Sequence, residues 1–184
     1  MISDPRFFGG GMTASSAEKM IRFVDLCDTF HLPVVNFTDQ PGVVVGTDAE
    51  QKGTIRYALR ALQTIEQSRV PWAAVIVRRA FGVAGSSYGR LRDLNLRYAW
   101  PSACWGSLPI EGGVKAAYKR EIEAADNPEQ RARELEEYYD RFQSPFRTAE
   151  KFGILDVIDP RQTRAILCHW IEQAYRVLPQ QLGI

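Results

Sequence analysis

The sequence predicts an α/β fold, a parallel sheet with helices covering both faces. Three observations predict it. Two near-continuous apolar runs, "VVNF" from Val34 and "WAAVIV" from Trp72, lack the alternation of a half-exposed strand and read as strands buried on both faces. Each run follows a proline, Pro33 or Pro71, that stops an amphipathic segment before it. The order helix, proline, strand, small-residue turn is therefore written twice, and strands joined by a helical crossover run parallel.

The elements follow in order. Residues 1–13, "MISDPRFFGGGMT", are glycine-rich and aperiodic and read as a lead-in segment, of the kind expected where a longer polypeptide has been cut. Ser15 and Glu18 then have capping-box spacing. Met20, Ile21, Val24 and Cys27 lie opposite Glu18, Arg22, Asp25 and Thr29, which predicts a helix over 15–30. After the first strand, "TDQPGVVVG" leads to Thr47 and Glu50, a second capping-box spacing. A helix is expected from there to about Gln67, with Ile55, Ala58, Leu59, Leu62 and Ile65 on its apolar face. The second strand breaks into Phe81-Gly82-Val83-Ala84-Gly85-Ser86-Ser87, small residues where side chains would normally pack.

Farther on, "RYAWPSA" reads as a short strand ending at Pro101, and "IEGGVKAAYKREIEAA" as a glycine-bearing turn running into a helix. Asn127-Pro128 is a cap followed by proline at the first helical position. It opens a helix over 128–142 whose apolar stripe, Ala132, Leu135, Tyr138, Tyr139 and Phe142, is narrow enough for a peripheral or partner-facing helix. Asp159-Pro160 repeats the cap chemistry and starts a last helix with a wide apolar face running from Ile166 to Val177. No linker divides the chain, so a single domain over 1–184 is expected.

Composition narrows the function classes. At 45% hydrophobic and 24% charged residues, the 184-residue chain has the make-up of one globular core. Lys and Arg number 23 against 22 Asp and Glu, a net charge of +1, which gives no electrostatic case for nucleic acid or a membrane surface. No apolar run reaches the roughly 18 residues of a membrane span, and no signal-peptide order opens the chain. Cys27, Cys104 and Cys168 lie far apart in contexts that suit a reducing compartment, so a cytoplasmic protein is expected.

Chemistry is expected at two loops that follow strand C-terminal ends, where open parallel sheets place ligands. They are "DQPGVVVG", Asp39 to Gly46, and "FGVAG", Phe81 to Gly85. Glycines there let the backbone approach another molecule and free its amides at a helix start, where negative charge is favoured, although the same glycines serve plain tight turns. Asp39 reads as a turn-former or as a site carboxylate. Arg78, Arg79, Arg90, Arg92 and Arg97 gather around the second loop, where they would meet phosphate or carboxylate groups or form a solvated face. His31 and His169 read as structural. No histidine stands in triad spacing to Ser86, Ser87 or Cys104, no zinc pattern is present, and "GVAG" lacks the dinucleotide fingerprint. What remains is chemistry by backbone dipoles, suited to a substrate that already carries an enolate or ureido anion.

Four stretches carry a resemblance: "RFVDLCDTFHLPVVNFTDQPGVVVGTDAEQKG", "VPWAAVIVRRAFGVAG", "YAWPSACWGSLPIEGGVKAAYKREIE" and "SPFRTAEKFGILDVIDPRQTR". Asp39, Pro41, Gly42, Gly46, Glu50 and Gly53 match a D-x-P-G motif with its downstream glycine and E-x-x-G. Trp100 and Pro101 match W-P, and Glu111, Gly112 and Val114 match E-G-x-V. Asp156, Ile158, Asp159, Pro160, Thr163 and Arg164 match D-x-I-D-P-x-x-T-R. Together they resemble the second half of the carboxyltransferase component of biotin-dependent acyl-CoA carboxylases.

The resemblance implies a crotonase-like spiral of ββα units. In such subunits the first half binds acyl-CoA and the second binds carboxybiotin, and the active site lies where the first half of one subunit faces the second half of another. It further implies biotin on a carrier protein as cofactor, biotin carboxyl carrier and biotin carboxylase components as partners, and a homo-oligomer. The ureido oxygen of biotin would meet the amides of Val83 and Ala84 in the family's G-G-A turn, here Gly82-Val83-Ala84. In a G-L-G-A variant of that turn it would meet Ala84 and Gly85. Gly42, Gly46, Gly82 and Ser86 would line the substrate side. The chain departs from the common pattern at Val83, at Gly85-Ser86 in place of Tyr-Asp, and at Leu108-Pro109 in place of Met-Gly. The implied function is carboxyl transfer between carboxybiotin and an acyl-CoA, with little activity in the absence of the first half. A biotin-dependent decarboxylase half and a non-catalytic assembly module are the alternatives.

Overall fold

The computed structural model describes residues 6–86, 88, 94–107 and 109–183. Ser87, Arg90, Arg92 and Leu108 lie outside the described residues. The first expected helix is α1, Ala14–Thr29, and the two apolar runs are β1, Val34–Gln40, and β2, Trp72–Phe81. They pair in parallel, Val34 opposite Trp72. On its other side β2 pairs in parallel first with β3, Leu96–Ala99, and then with β4, Cys104–Gly106. A short β5, Asp156–Val157, closes the sheet beside β3. The sheet order is β1-β2-β3-β5, with β4 alongside the end of β2.

Helices cover the sheet because successive strand residues alternate between faces. Trp72 packs with Val24 and Cys27 of α1 and with Ile65 of α3, Thr54–Gln67. The next residue, Ala73, packs with Trp170 and Ala174 of the last helix, α9, Thr163–Leu182. Residues 72–76 are all at most 3% exposed, which is the burial that a strand without alternation requires. Each tryptophan places its indole N–H on an acceptor: Trp72 on Ser68 Oγ, Trp100 on Thr163 Oγ1, Trp105 on Thr148 Oγ1 and Trp170 on the Leu94 carbonyl.

Several boundaries differ from those the sequence predicts. Thr13, in extended conformation, accepts from the Ser16 amide, and Ser16 Oγ accepts from the Thr13 amide, so the capping box of α1 sits two residues ahead of Ser15 and Glu18. Thr47 makes no cap bond. The short α2, Thr47–Gln51, starts from Gly46 and is separated from α3 by Gly53, whose φ of 64° only glycine adopts freely. The glycine-bearing turn expected at "IEGG" is instead the start of a helix capped by Pro109, and that helix is two pieces, α5, Ile110–Ala117, and α6, Lys119–Glu123. The break is at Tyr118, whose ring stacks on Tyr139, 5.5 Å between centroids. That tyrosine belongs to α7, Pro128–Asp140, which Asn127 caps as expected by accepting from the Gln130 amide. Asp159 caps a single 3-10 turn, 160–162, before α9 begins. The sequence gives no sign of β4, of β5 or of α8, Pro145–Glu150; these short pieces form by packing rather than by periodicity. The end of the glycine-rich lead-in is docked. Met12 is 3% exposed and bridges Val43 through bonds to Gly42 and Val44.

Candidate functional site

The two glycine loops meet at the C-terminal ends of neighbouring parallel strands, β1 and β2. The second is a single helical turn, α4, Gly82–Gly85, which begins where β2 ends and packs against β1, β2 and α3. Gly82 is left-handed, φ 59°, and lets the chain turn sharply from strand into helix. Ala84 is buried against Met12, Ala17, Ala58 and Ala61, which pins the turn to the α1–α3 layer. Gly85 admits no side chain: a Cβ there would lie 2.3 Å from the Ala80 carbonyl carbon. In this chain the glycine in place of the common tyrosine is a steric requirement of the backbone as built. Val83 is half-buried, while Gly82 and Ser86 are exposed at the rim. The leading amides of such a turn are those no helical carbonyl can reach.

Of the first-loop residues, Gly42 comes close to this turn, and a Cβ on it would stand 3.7 Å from the Phe81 carbonyl. Its amide is held by Gln40 Oε1 at 3.1 Å. Gly46 does not join them; it is exposed, farther along the loop, where it caps α2. Ser107 joins instead, its carbonyl 3.7 Å from the position of a Gly82 Cβ.

Asp39 is neither a turn-former nor an open carboxylate. It is the penultimate residue of β1, and Arg78 donates to its Oδ2 from Nε and Nη2 at 3.1 and 2.7 Å. Arg79 donates to Oδ1 from Nε at 2.9 Å and from its amide at 3.3 Å, and reaches the Gly9 carbonyl with Nη2 at 3.0 Å. Burial pushes the Asp39 carboxyl up, but the hydrogen bonds from Arg78 and Arg79 outweigh it and hold it below its ordinary value. These two arginines are therefore paired rather than waiting for a ligand anion. Arg97 is also occupied, stacked 4.1 Å over the Tyr88 ring and donating to the Gly153 carbonyl. Sequence reasoning missed the pairing; its signal was an acid and two adjacent bases near the ends of two neighbouring strands.

Cys27 and Cys104 have thiols that burial pushes above the ordinary value, and Cys168 is exposed on α9. Among the described residues no cluster of His, Cys, Asp and Glu has the arrangement to hold a metal ion, and no helix is long and apolar enough to cross a membrane. An apolar trough of about 600 Å³ lies elsewhere, between Val35 and Phe37 of β1 and Leu167 and Ile171 of α9.

Residues 3–177 match the carboxyl transferase domain family. The chain belongs to that family. It is 37% identical over 166 residues to the propionyl-CoA carboxylase carboxyltransferase subunit of Haloferax mediterranei, covering 89% of this chain and 32% of that protein. It is 34% identical over 177 residues to the methylmalonyl-CoA carboxyltransferase 12S subunit of Propionibacterium freudenreichii subsp. shermanii, covering 94% and 33%. The chain thus spans about a third of the length of the curated relatives it matches. In structure it is similar to a transcarboxylase 12S crystal structure, solved with methylmalonyl-coenzyme A bound, at a TM-score of 0.80 and 31% identity, covering 94% of this chain and 34% of that one. The β subunit of P. aeruginosa geranyl-CoA carboxylase shares the fold at a TM-score of 0.82 and 21% identity, covering 91% and 33%. The crotonase-like α/β fold of the carboxyltransferases is therefore the fold of this chain.

Proposed function

We propose that this chain is the biotin-side part of an acyl-CoA carboxyltransferase, forming one domain that supplies half of a shared active site. The observation that carries the reading is the pairing of Gly42 with the Gly82–Gly85 turn at adjacent strand ends in a chain of this family. Biotin, brought by a carrier protein, is the cofactor. The chain's part in the chemistry is to present N–H donors, Val83 and Ala84 or Ala84 and Gly85, to an oxygen that becomes anionic as the carboxyl group leaves. Fixed backbone dipoles need no proton transfer and cost no reorganisation, which fits a site whose carboxylate is already neutralised by two arginines. Gly42 and Gly82 keep side chains away from the approach, and Ser86 stands at its rim on the acyl side.

The reading implies an acyl-CoA-binding partner region, a biotin carboxyl carrier and a biotin carboxylase, in a cytoplasmic homo-oligomer. The test is carboxyl transfer from methylmalonyl-CoA to free biotin, with this chain alone and with the first two thirds of the Haloferax mediterranei relative added. Transfer only in the mixture is the expected result. Full transfer by the chain alone overturns the half-site. No transfer in either case, with biotin failing to raise the melting temperature, leaves the non-catalytic assembly role in its place.

A further inference from the structure

β2 is not held uniformly along its length. From Thr38 to Gln40 β1 advances two residues while β2 advances from Ile76 to Ala80, so Asp39 faces three residues, Val77, Arg78 and Arg79. At the same place β2 changes partner on its other side: pairing with β3 stops at Ile76 and pairing with β4 starts at Arg79. Val77 and Arg78 therefore have no register partner in β1, β3 or β4. Side chains help hold them. Ser102 Oγ donates to the Val77 carbonyl at 2.7 Å, and Asp39 accepts from Arg78 and Arg79 together. Adjacent strand residues normally point to opposite faces, and only the bulge allows two neighbours to reach one carboxylate. Arg79 carries the link on to Gly9 in the lead-in.

The geometry points to Asp39 as a positioning residue for the Gly82–Gly85 turn. By gathering Arg78 and Arg79 it sets the length of the bulge, and the bulge sets where Phe81 ends and in which direction the amides of 82–85 face. Asp39 touches no reacting atom in this arrangement; it acts through the backbone of β2. The inference rests on the site reading above for its consequence in catalysis, and on geometry alone for its effect on the turn.

The test is Asp39→Asn in the whole chain, followed by amide hydrogen exchange. Segment 81–86 is expected to exchange about ten-fold faster, while 34–37 and 73–76 exchange as in the wild type. Unchanged exchange at 81–86, or an equal rise in all three segments, overturns the proposal. Arg78→Met, at a side chain 55% exposed and so tolerant of replacement, gives the same local signature at smaller amplitude should Asp39→Asn not fold. In the reconstituted transfer assay Asp39→Asn is expected to lower kcat about ten-fold with the KM for methylmalonyl-CoA within about two-fold. A kcat equal to wild type overturns the catalytic consequence. If wild type transfers nothing and Asp39→Asn still loosens 81–86, the clamp stands and the carboxyltransferase reading falls.

Discussion

The lower and upper parts of the same two strands are held by different physics. From Val34 and Trp72 to Thr38 and Ile76, β1 and β2 run in unbroken register, and β2 is packed on both faces. From Asp39 and Val77 onward the register shifts, neighbours change, and a carboxylate with two guanidinium groups joins the apolar packing of Ala80 and Phe81. The lower part is the buried centre of the sheet, whereas the upper part ends in the Gly82–Gly85 turn proposed as the site. Apolar packing is strong and insensitive to direction; charge-assisted hydrogen bonds have defined geometry, which is what aiming a backbone turn demands.

Substitutions in either part of the strands should separate the two. The largest effect is expected from Ile76→Ala. Ile76 is 2% exposed, and its loss costs about 2–5 kcal/mol through transfer and cavity terms, read as a lower urea midpoint with uniformly faster exchange. Gly85→Ala comes next. The added Cβ meets the Ala80 backbone at 2.3 Å, so about 1–3 kcal/mol is lost by overpacking, with exchange rising first at 80–86. If Gly85→Ala instead melted both parts together, the two parts would be one cooperative unit.

Acid separates the parts without mutation. Asp39 has its folded-state carboxyl below the ordinary value, so its stabilising contribution is present above the unfolded value of about 3.9 and is lost as pH falls through the folded one. Urea midpoints of wild type and Asp39→Asn should differ at neutral pH and converge in acid, with the variant showing the shallower acid limb. The smallest effect is expected at Lys52→Ala. Its pair with Asp48 joins side chains 65% and 79% exposed, worth less than about 0.5 kcal/mol, and neither part of the sheet should respond in exchange.

Much of the architecture was legible before any coordinates. The apolar runs and their prolines placed β1 and β2, Asn127 and Asp159 marked caps that form, and the glycines of both loops marked strand ends. These are signals within a window of a few residues, where periodicity, proline and side-chain caps act directly on the backbone. The site was legible only in part. Gly42 and 82–85 do come together, but Gly46 remains apart, and Asp39 had two sequence readings, neither of which was the clamp.

Local signals fix β1, β2 and the long helices and most of the places where the chain turns, but not β4, β5 or α8. The partnership across 39 and 40 residues that binds Asp39 to Arg78 and Arg79, the bulge that permits it, and the shift of β2 from β3 to β4 arise only when the chain is folded. The physical reason is that register between distant strands follows from the closure of the whole sheet. Many local sequences are compatible with either face of a strand, and a shift of one residue exchanges the two.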